Sequence, residues 1–333
     1  MKNVKKFLTA FIVISLVAFL AACGGDDDSN TDNGSSEGGG DGDGNLETSI
    51  VTIATGGSSG PYNIIGTALA EVYSDEFGIN SRTQTTGASV ENANLFAQDK
   101  IEMALMMSDV LTEAVEGEGN FDEPIEEIMQ IGTLYPNFVQ IVTTADSGIE
   151  TFDDLKGKRI AVGDQNSGVE VNARNLLNGH GITYDDIDVD YLGYAEAADG
   201  LRAGQLDAAF LTSGLPNSSL LELSETLDIR LVSIDPADIE KIAEDQAYFV
   251  PMEIPEGTYG NDEPIPTAAI MNALAVHADL SEDDVYELTK TFFENLETLE
   301  NSHQAAKDIS LEDAQEGLVA PMHPGAERYY NEQ

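Results

Sequence analysis

Tryptophan is absent from this 333-residue chain, and cysteine occurs once. A lone thiol forms no intrachain disulfide, so the fold must rest on its apolar core. Histidine is nearly as scarce. His180, His277, His303 and His323 stand apart, without the spacing that zinc sites use. Positive charge is the third shortage: 15 Lys and Arg face 61 Asp and Glu, a net charge of −46. Duplex nucleic acid is bound by neutralising phosphates with cations, so nucleic acid is excluded as a partner. Hydrophobic residues still make up 41% of the chain, which supports a genuine core. At about 100–200 residues per domain, the length accommodates two compact units or one two-lobed unit.

Long apolar runs are also rare, and the one present is N-terminal. Lys2, Lys5 and Lys6 precede the run Phe7–Leu20, which ends in Leu20-Ala21-Ala22-Cys23. A basic start, 14 apolar residues and a small-residue end describe an export signal too short to span a bilayer. Leu-Ala-Ala-Cys resembles the bacterial lipobox, which implies that Cys23 becomes the lipidated first residue of a protein held at the outer face of the cell membrane. Residues 1–22 are then the signal and residues 23–48, nearly all Gly, Ser, Asn, Asp and Glu, a flexible tether. Removing the signal takes away three Lys and no acid, moving the charge from −46 to −49. Self-repulsion of that size is tolerated best where salt screens it, so we expect a protein of a saline or alkaline habitat.

From residue 49 the pattern becomes that of an α/β protein. Ser49–Ala54 is a β-branched run, followed by the loop Thr55–Gly60 and by apolar residues at helical spacing (Tyr62, Ile65, Leu69, Val72). The order repeats at Arg159–Val162, Gly163–Gly168 and the stretch through Val171, Arg174 and Leu177. Phe96–Ser108 aligns with Leu201–Ser213, placing Glu102 on Asp207, Ala104 on Ala209 and Ser108 on Ser213. Two lobes of one plan follow, with mostly parallel sheets and functional loops at the carboxyl ends of strands. Thr55–Tyr62, Thr86–Asn92 and Ser108 then line one wall of a cleft. Gly163–Val169, Gly193–Tyr194 and Ser213 line the other.

The loops have the chemistry of a small-ligand site. Backbone N–H groups at the Gly56–Gly60 turn precede a helix and favour an anion, with Ser58 and Ser59 as further donors and Tyr62 placed to close over the ligand. Ser167 with Glu170 reads as a capping box, and Ser89 with Asn92 as a helix cap, so each has a purely structural explanation beside a ligand-binding one. Arg82, Arg174 and Arg202 lie near the loops, each either an ordinary surface cation or a counter-charge for a ligand carboxylate. Gly56-Gly57-Ser58-Ser59-Gly60 also fits the G-x-S-x-G nucleophile elbow, the best enzymatic alternative, but only one strand precedes Ser58 where an elbow normally follows several. Nothing in the sequence calls for a cofactor or a metal.

These loops resemble those of the TAXI family of solute receptors, which serve tripartite ATP-independent periplasmic (TRAP) transporters. Ala54–Gly66 keeps that family's glycines and Tyr62 while lacking its second Tyr and its Pro. Gln84–Asn92, Met107-Ser108-Asp109, Asp153–Arg159, Asn166–Glu170 and Ala320–Tyr330 are similar to its further motifs, although Val169 stands in place of a family Thr. The resemblance implies a two-lobed type II periplasmic-binding-protein fold, with residues 49–145 and 250–333 in lobe 1 and residues 146–249 in lobe 2. The chain would cross near Thr144–Gly148 and return near Phe249–Glu253, and Ser281 would cap a long helix through Leu296. It further implies a receptor, not an enzyme, that captures a small organic anion of the glutamate or dicarboxylate/2-oxo acid type and delivers it to a TRAP permease. Gly57, Ser58, Ser59, Tyr62, Gly87, Ser89, Asn92, Ser108, Gln165, Ser167, Gly168, Val169 and Ser213 are the candidate ligand-binding residues. A sensor of the same fold that reports to a membrane signalling protein is the alternative.

Overall fold

The structure is a computed structural model and describes residues 46–333. The expected export signal, Cys23 and nearly all of the expected tether therefore lie outside the described residues. No helix among those described is long and apolar enough to cross a membrane.

The first alternation runs β1 (Ile50–Ala54), α1 (Pro61–Phe77), β2 (Asn80–Gln84), α2 (Ser89–Phe96), β3 (Met103–Met107) and α3 (Ser108–Glu116). A 17-residue strand follows, β4 (Ile128–Thr144). The second alternation is β5 (Arg159–Ala161), α4 (Gly168–Gly179), β6 (Asp188–Asp190), α5 (Tyr194–Arg202), β7 (Ala208–Ser213), α6 (Ser218–Thr226), β8 (Ile229–Val232), α7 (Pro236–Ala243) and β9 (Val250–Ile254). The long β10 (Ile265–His277) leads back to α8 (Glu282–Glu294), α9 (Leu296–Ser302) and α10 (Pro324–Asn331).

Strands β1, β2 and β3 pair in parallel, and so do β5, β6 and β7. The buried runs of β1, β3 and β7 suit strands covered on both faces, while β2 and β6, polar and half-exposed, form the edges. The sheet as a whole is mixed, because β4 and β10 join the two parallel sets through antiparallel pairings. Along β10, residues 272–276 pair with β3 and residues 265–269 with β9; along β4, residues 128–138 pair with β10 and residues 138–143 with β7. The exchange of partners thus falls near Asn137 and Met271. Thr144–Gly148, the expected crossing, lies at the end of β4, and Phe249–Glu253, the expected return, lies at the start of β9.

The internal repeat has a structural counterpart. Glu102, just before β3, accepts a 2.6 Å hydrogen bond from the backbone N–H of Thr52 in β1. Asp207, just before β7, accepts from the backbone N–H of Arg159 in β5 at 2.9 Å and clasps the Arg159 guanidinium at 2.7 and 3.1 Å. In both halves a carboxylate just before one strand satisfies a backbone N–H of its parallel neighbour.

Packing follows the same division. Ile53, Leu69, Tyr73, Met103, Leu274, Val285 and Phe292 share one core, and Val139, Ile160, Val162, Leu176, Phe210 and Ile239 share another. Ser281 caps α8 through the Asp284 N–H, as its sequence predicts. That helix stops at Glu294, however: Asn295 leaves helical geometry with φ −115° and ψ 21°, and Leu296 begins α9. His323 caps α10, accepting from the Gly325 N–H at 3.2 Å, and its Nε2 lies 3.2 Å from the Leu280 carbonyl.

Candidate functional site

Each parallel strand of the two sets delivers its following loop to one cavity. The contributors are Gly56, Gly57, Gly60, Pro61 and Tyr62 after β1, Gly87 and Ala88 after β2, Met107 at the end of β3, Gly163, Asp164, Ser167 and Val169 after β5, Leu192–Tyr194 after β6, and Thr212 and Ser213 ending β7. Asn137 in the middle of β4 forms part of the lining. The cavity encloses about 40 Å³. That is far below the roughly 300–1,000 Å³ of a site for a drug-sized ligand, so its walls stand close together.

Direct contacts hold the walls in that position. Ser218 Oγ at the start of α6 donates to the Ser59 carbonyl at 2.7 Å. The Glu91 N–H donates to the Asn166 carbonyl at 3.1 Å, and Asn172 Nδ2 in α4 donates to Asp109 Oδ2 in α3 at 2.5 Å. A Cβ on Gly60 would lie 3.2 Å from the Tyr194 ring, and one on Gly168 only 2.7 Å from Met107 Sδ. Glycine at these two positions allows the walls to approach each other.

Turn geometry accounts for the loop residues. Gly163 has φ +101°, and a Cβ there would sit 2.7 Å from that of Val169, so only glycine permits this turn from β5 into α4. Ala88 is the exception, with φ 81° and ψ −145°, a region that glycine occupies far more easily than alanine.

Of the residues expected from the sequence, Gly57, Tyr62, Gly87, Ser167, Val169 and Ser213 line the cavity. Ser58, Ser59, Ser89, Asn92, Ser108, Gln165 and Gly168 do not. Ser58 and Gln165 are exposed, and Ser59 offers its carbonyl to Ser218. Ser89 does not cap its helix: its Oγ accepts from the Met107 N–H at 3.1 Å, and Ala88 occupies the cap position. Asn92 is a buried strut, donating to the Thr55 and Leu105 carbonyls at 2.8 and 3.0 Å and accepting from Thr86 Oγ1 at 2.7 Å. Ser108 lies at the start of α3, beside a separate groove lined by Asp109 and Tyr248. Gly168 packs on Met107. Ser167 forms half of its expected capping box, accepting from the Glu170 N–H at 3.1 Å, while the Glu170 carboxylate accepts from Tyr184 Oη at 2.7 Å and lies 3.6 Å from Arg174.

None of the three candidate arginines lines the cavity. Arg174 pairs with Glu170, Arg202 pairs with Asp199, and Arg82 lies on another face beside Thr67 and Glu71. The only ionisable acid or base in the lining, tyrosine aside, is Asp164. Burial, and after it the nearby carboxylates of Glu196 and Glu91, raises the Asp164 pKa.

Sequence reasoning missed Asn137, which lines the cavity, and Asn272, the buried amide bonded to it. Tyr62 donates its hydroxyl to Asn272 Oδ1. Asn137 Nδ2 donates to the same oxygen at 2.9 Å, and Asn272 Nδ2 donates to the Tyr135 carbonyl at 2.8 Å. Burial holds the Tyr62 phenol well above its usual pKa, so it remains a donor. The sequence carries little signal for the pair: β4, IMQIGTLYPNFVQIVTT, holds three amides, Gln130, Asn137 and Gln140, and β10, IPTAAIMNALAVH, holds Asn272. The hydrolase alternative has no geometric basis: Ser58 is exposed, and no histidine among the described residues is hydrogen-bonded to it.

Comparison with known proteins agrees with this architecture. The sequence profile of the NMT1-like family matches residues 53–333. Among solved structures, PhnD1 from Prochlorococcus marinus in complex with methylphosphonate is similar at 10% identity and TM-score 0.54, over 78% of this chain and 91% of that one. A binding protein component of an ABC phosphonate transporter from Pseudomonas aeruginosa is similar at 12% identity and TM-score 0.53, over 78% and 80%. A Bordetella bronchiseptica protein is similar at 18% identity and TM-score 0.54, over 86% and 83%. These likenesses establish the fold. It is the two-lobed α/β fold of periplasmic binding proteins.

Proposed function

This chain belongs to the NMT1-like family, and we propose that it is an exported solute-binding receptor whose lobes close on a small molecule and present it to a membrane transporter. One observation carries the reading. Loops from both parallel strand sets converge on a single cavity, and hydrogen bonds from opposite walls hold that cavity shut. A binding protein of this kind stabilises its closed state through contacts that a ligand makes with both walls.

The division into lobes follows the change of strand partners. We place the hinge in the middle of β4 and β10, near Asn137 and Met271, where each long strand leaves one set of partners for the other. Delivery to a TRAP permease is the partner that the resemblance to TAXI receptors supports, with an N-terminal lipid at Cys23 keeping the receptor at the membrane. A solute of the organic-acid or amino-acid type is supported by the same resemblance, and by the first turns of α1, α4 and α5, which bring Pro61, Tyr62, Val169 and Tyr194 into the cavity lining.

The test is a thermal-shift screen of the purified protein in high salt against amino acids, carboxylic acids, amines, phosphonates and sugars. A Tm that climbs with the concentration of one class is what binding to the native state requires. If no compound moves Tm, the receptor reading fails.

A further inference from the structure

Receptors for acids need a positive counter-charge or its equivalent, and this cavity holds neither Lys nor Arg. Its charge has the opposite sign. Asp164 lines the cavity half-buried, and the carboxylates of Glu196 in the first turn of α5 and Glu91 in the first turn of α2 lie near it. Asp164 Oδ2 and Glu196 Oε2 converge on Gly193: a Cβ there would lie 2.8 Å from one and 2.9 Å from the other. Glu91 Oε2 accepts from the Gly87 N–H at 2.6 Å. None of the three forms an ion pair among the described residues.

A second observation, independent of charge, points the same way. Two buried oxygens on residues lining this cavity have no hydrogen-bond partner, Asn137 Oδ1 and Thr212 Oγ1. The amide oxygen can only accept, and Asn137 already directs its Nδ2 to Asn272. Leaving such an atom buried without a donor is costly, so the site is incomplete until something supplies an N–H or O–H. A dicarboxylate brings neither a donor for Asn137 nor a partner for Asp164. It would instead bring further negative charge beside three carboxylates.

We infer that the solute carries a protonated amine, which pairs with Asp164 and donates to the acceptor oxygen of Asn137. This rests on the receptor reading and narrows it. If the solute also carries a carboxylate, the amine is the part recognised by charge, while the N–H groups at the helix starts take the acid end. Thr212 Oγ1, as donor or acceptor, serves either end.

Four probes of similar length separate the possibilities: succinate, 4-aminobutyrate, putrescine and 1,4-butanediol, titrated calorimetrically into the full chain in high salt. The inference expects 4-aminobutyrate or putrescine to bind and succinate and butanediol not to. It expects Asp164→Asn to weaken the amine by roughly thirtyfold or more, the scale of removing one partner from a buried charge pair. Succinate binding in preference to both amines, and tightening as the pH falls and Asp164 protonates, would overturn the inference and leave the receptor reading intact. If none of the four binds and a broad metabolite screen also fails, both are overturned.

Discussion

Ser218, at the first turn of α6, donates its hydroxyl to the backbone carbonyl of Ser59 at 2.7 Å, joining loops 159 residues apart across the cleft. The bond exists only when the walls are together, so it reports on closure rather than folding. Ser218→Ala should therefore weaken solute binding by about fivefold, in line with roughly 1 kcal/mol for a hydrogen bond, while leaving the Tm of the solute-free protein nearly unchanged. Calorimetric titration and a thermal melt of the same preparation check both halves. An equal loss in both would make Ser218 a folding residue.

Ala88 holds φ 81° and ψ −145° at the start of α2, beside Gly87 in the cavity lining. An L side chain in that region costs about 1–3 kcal/mol, whereas glycine there is nearly free of strain but loses entropy on folding. Ala88→Gly should stabilise the protein by about 1 kcal/mol in urea unfolding. A destabilised variant would mean that the Ala88 methyl, close to Gly56, packs well enough to outweigh its strain.

Asp109 makes stability depend on pH. Burial, with a smaller contribution from Glu113, pushes its carboxyl up to about 7, and the Asn172 hydrogen bond opposes that shift only in part. The folded state therefore holds the proton that the unfolded chain releases near pH 4. Between about pH 4 and pH 7 the native state binds more protons, so Asp109 lowers stability as pH rises, by at most about 1.4 kcal/mol per pH unit. Above pH 7 its contribution is flat. Asp109→Asn should flatten this part of the pH profile of urea unfolding. An unchanged slope would place the effect in other carboxylates.

The acid excess predicts a salt requirement. With 61 Asp and Glu against 15 Lys and Arg, the compact state repels itself, and ions screen that repulsion over about 10 Å at 0.1 M but about 3 Å at 1 M. The urea midpoint should rise between those two salt concentrations. A midpoint that is unchanged or lower at high salt would contradict the habitat expected from the sequence.

Much of this architecture was legible because it is local. An apolar run, a glycine loop and a periodic helix announce β1–α1 and β5–α4, and the match of Glu102 with Asp207 marks a capping contact that the two halves share. What escaped is non-local. That β4 and β10 run from one strand set to the other depends on which strands pair with each end, a matter of tertiary contact that no period reveals. Asn137 and Asn272 meet only because those strands pair antiparallel, so neither amide stands out in its own segment. Ser89 and Asn92 were conspicuous as a motif, and their hydrogen bonds hold the loops in place instead of facing the cavity. The arginines were sought as counter-charges, but two of them are committed to carboxylates on their own helices.

The central claim, that two lobes close on a solute, is tested most directly by small-angle X-ray scattering of the purified protein with and without the solute found by thermal shift. The account predicts a smaller radius of gyration at saturation, with Ser218→Ala requiring more solute to reach it. A radius that stays constant while calorimetry shows the site filled would contradict closure and leave a rigid pocket in place of a hinged receptor.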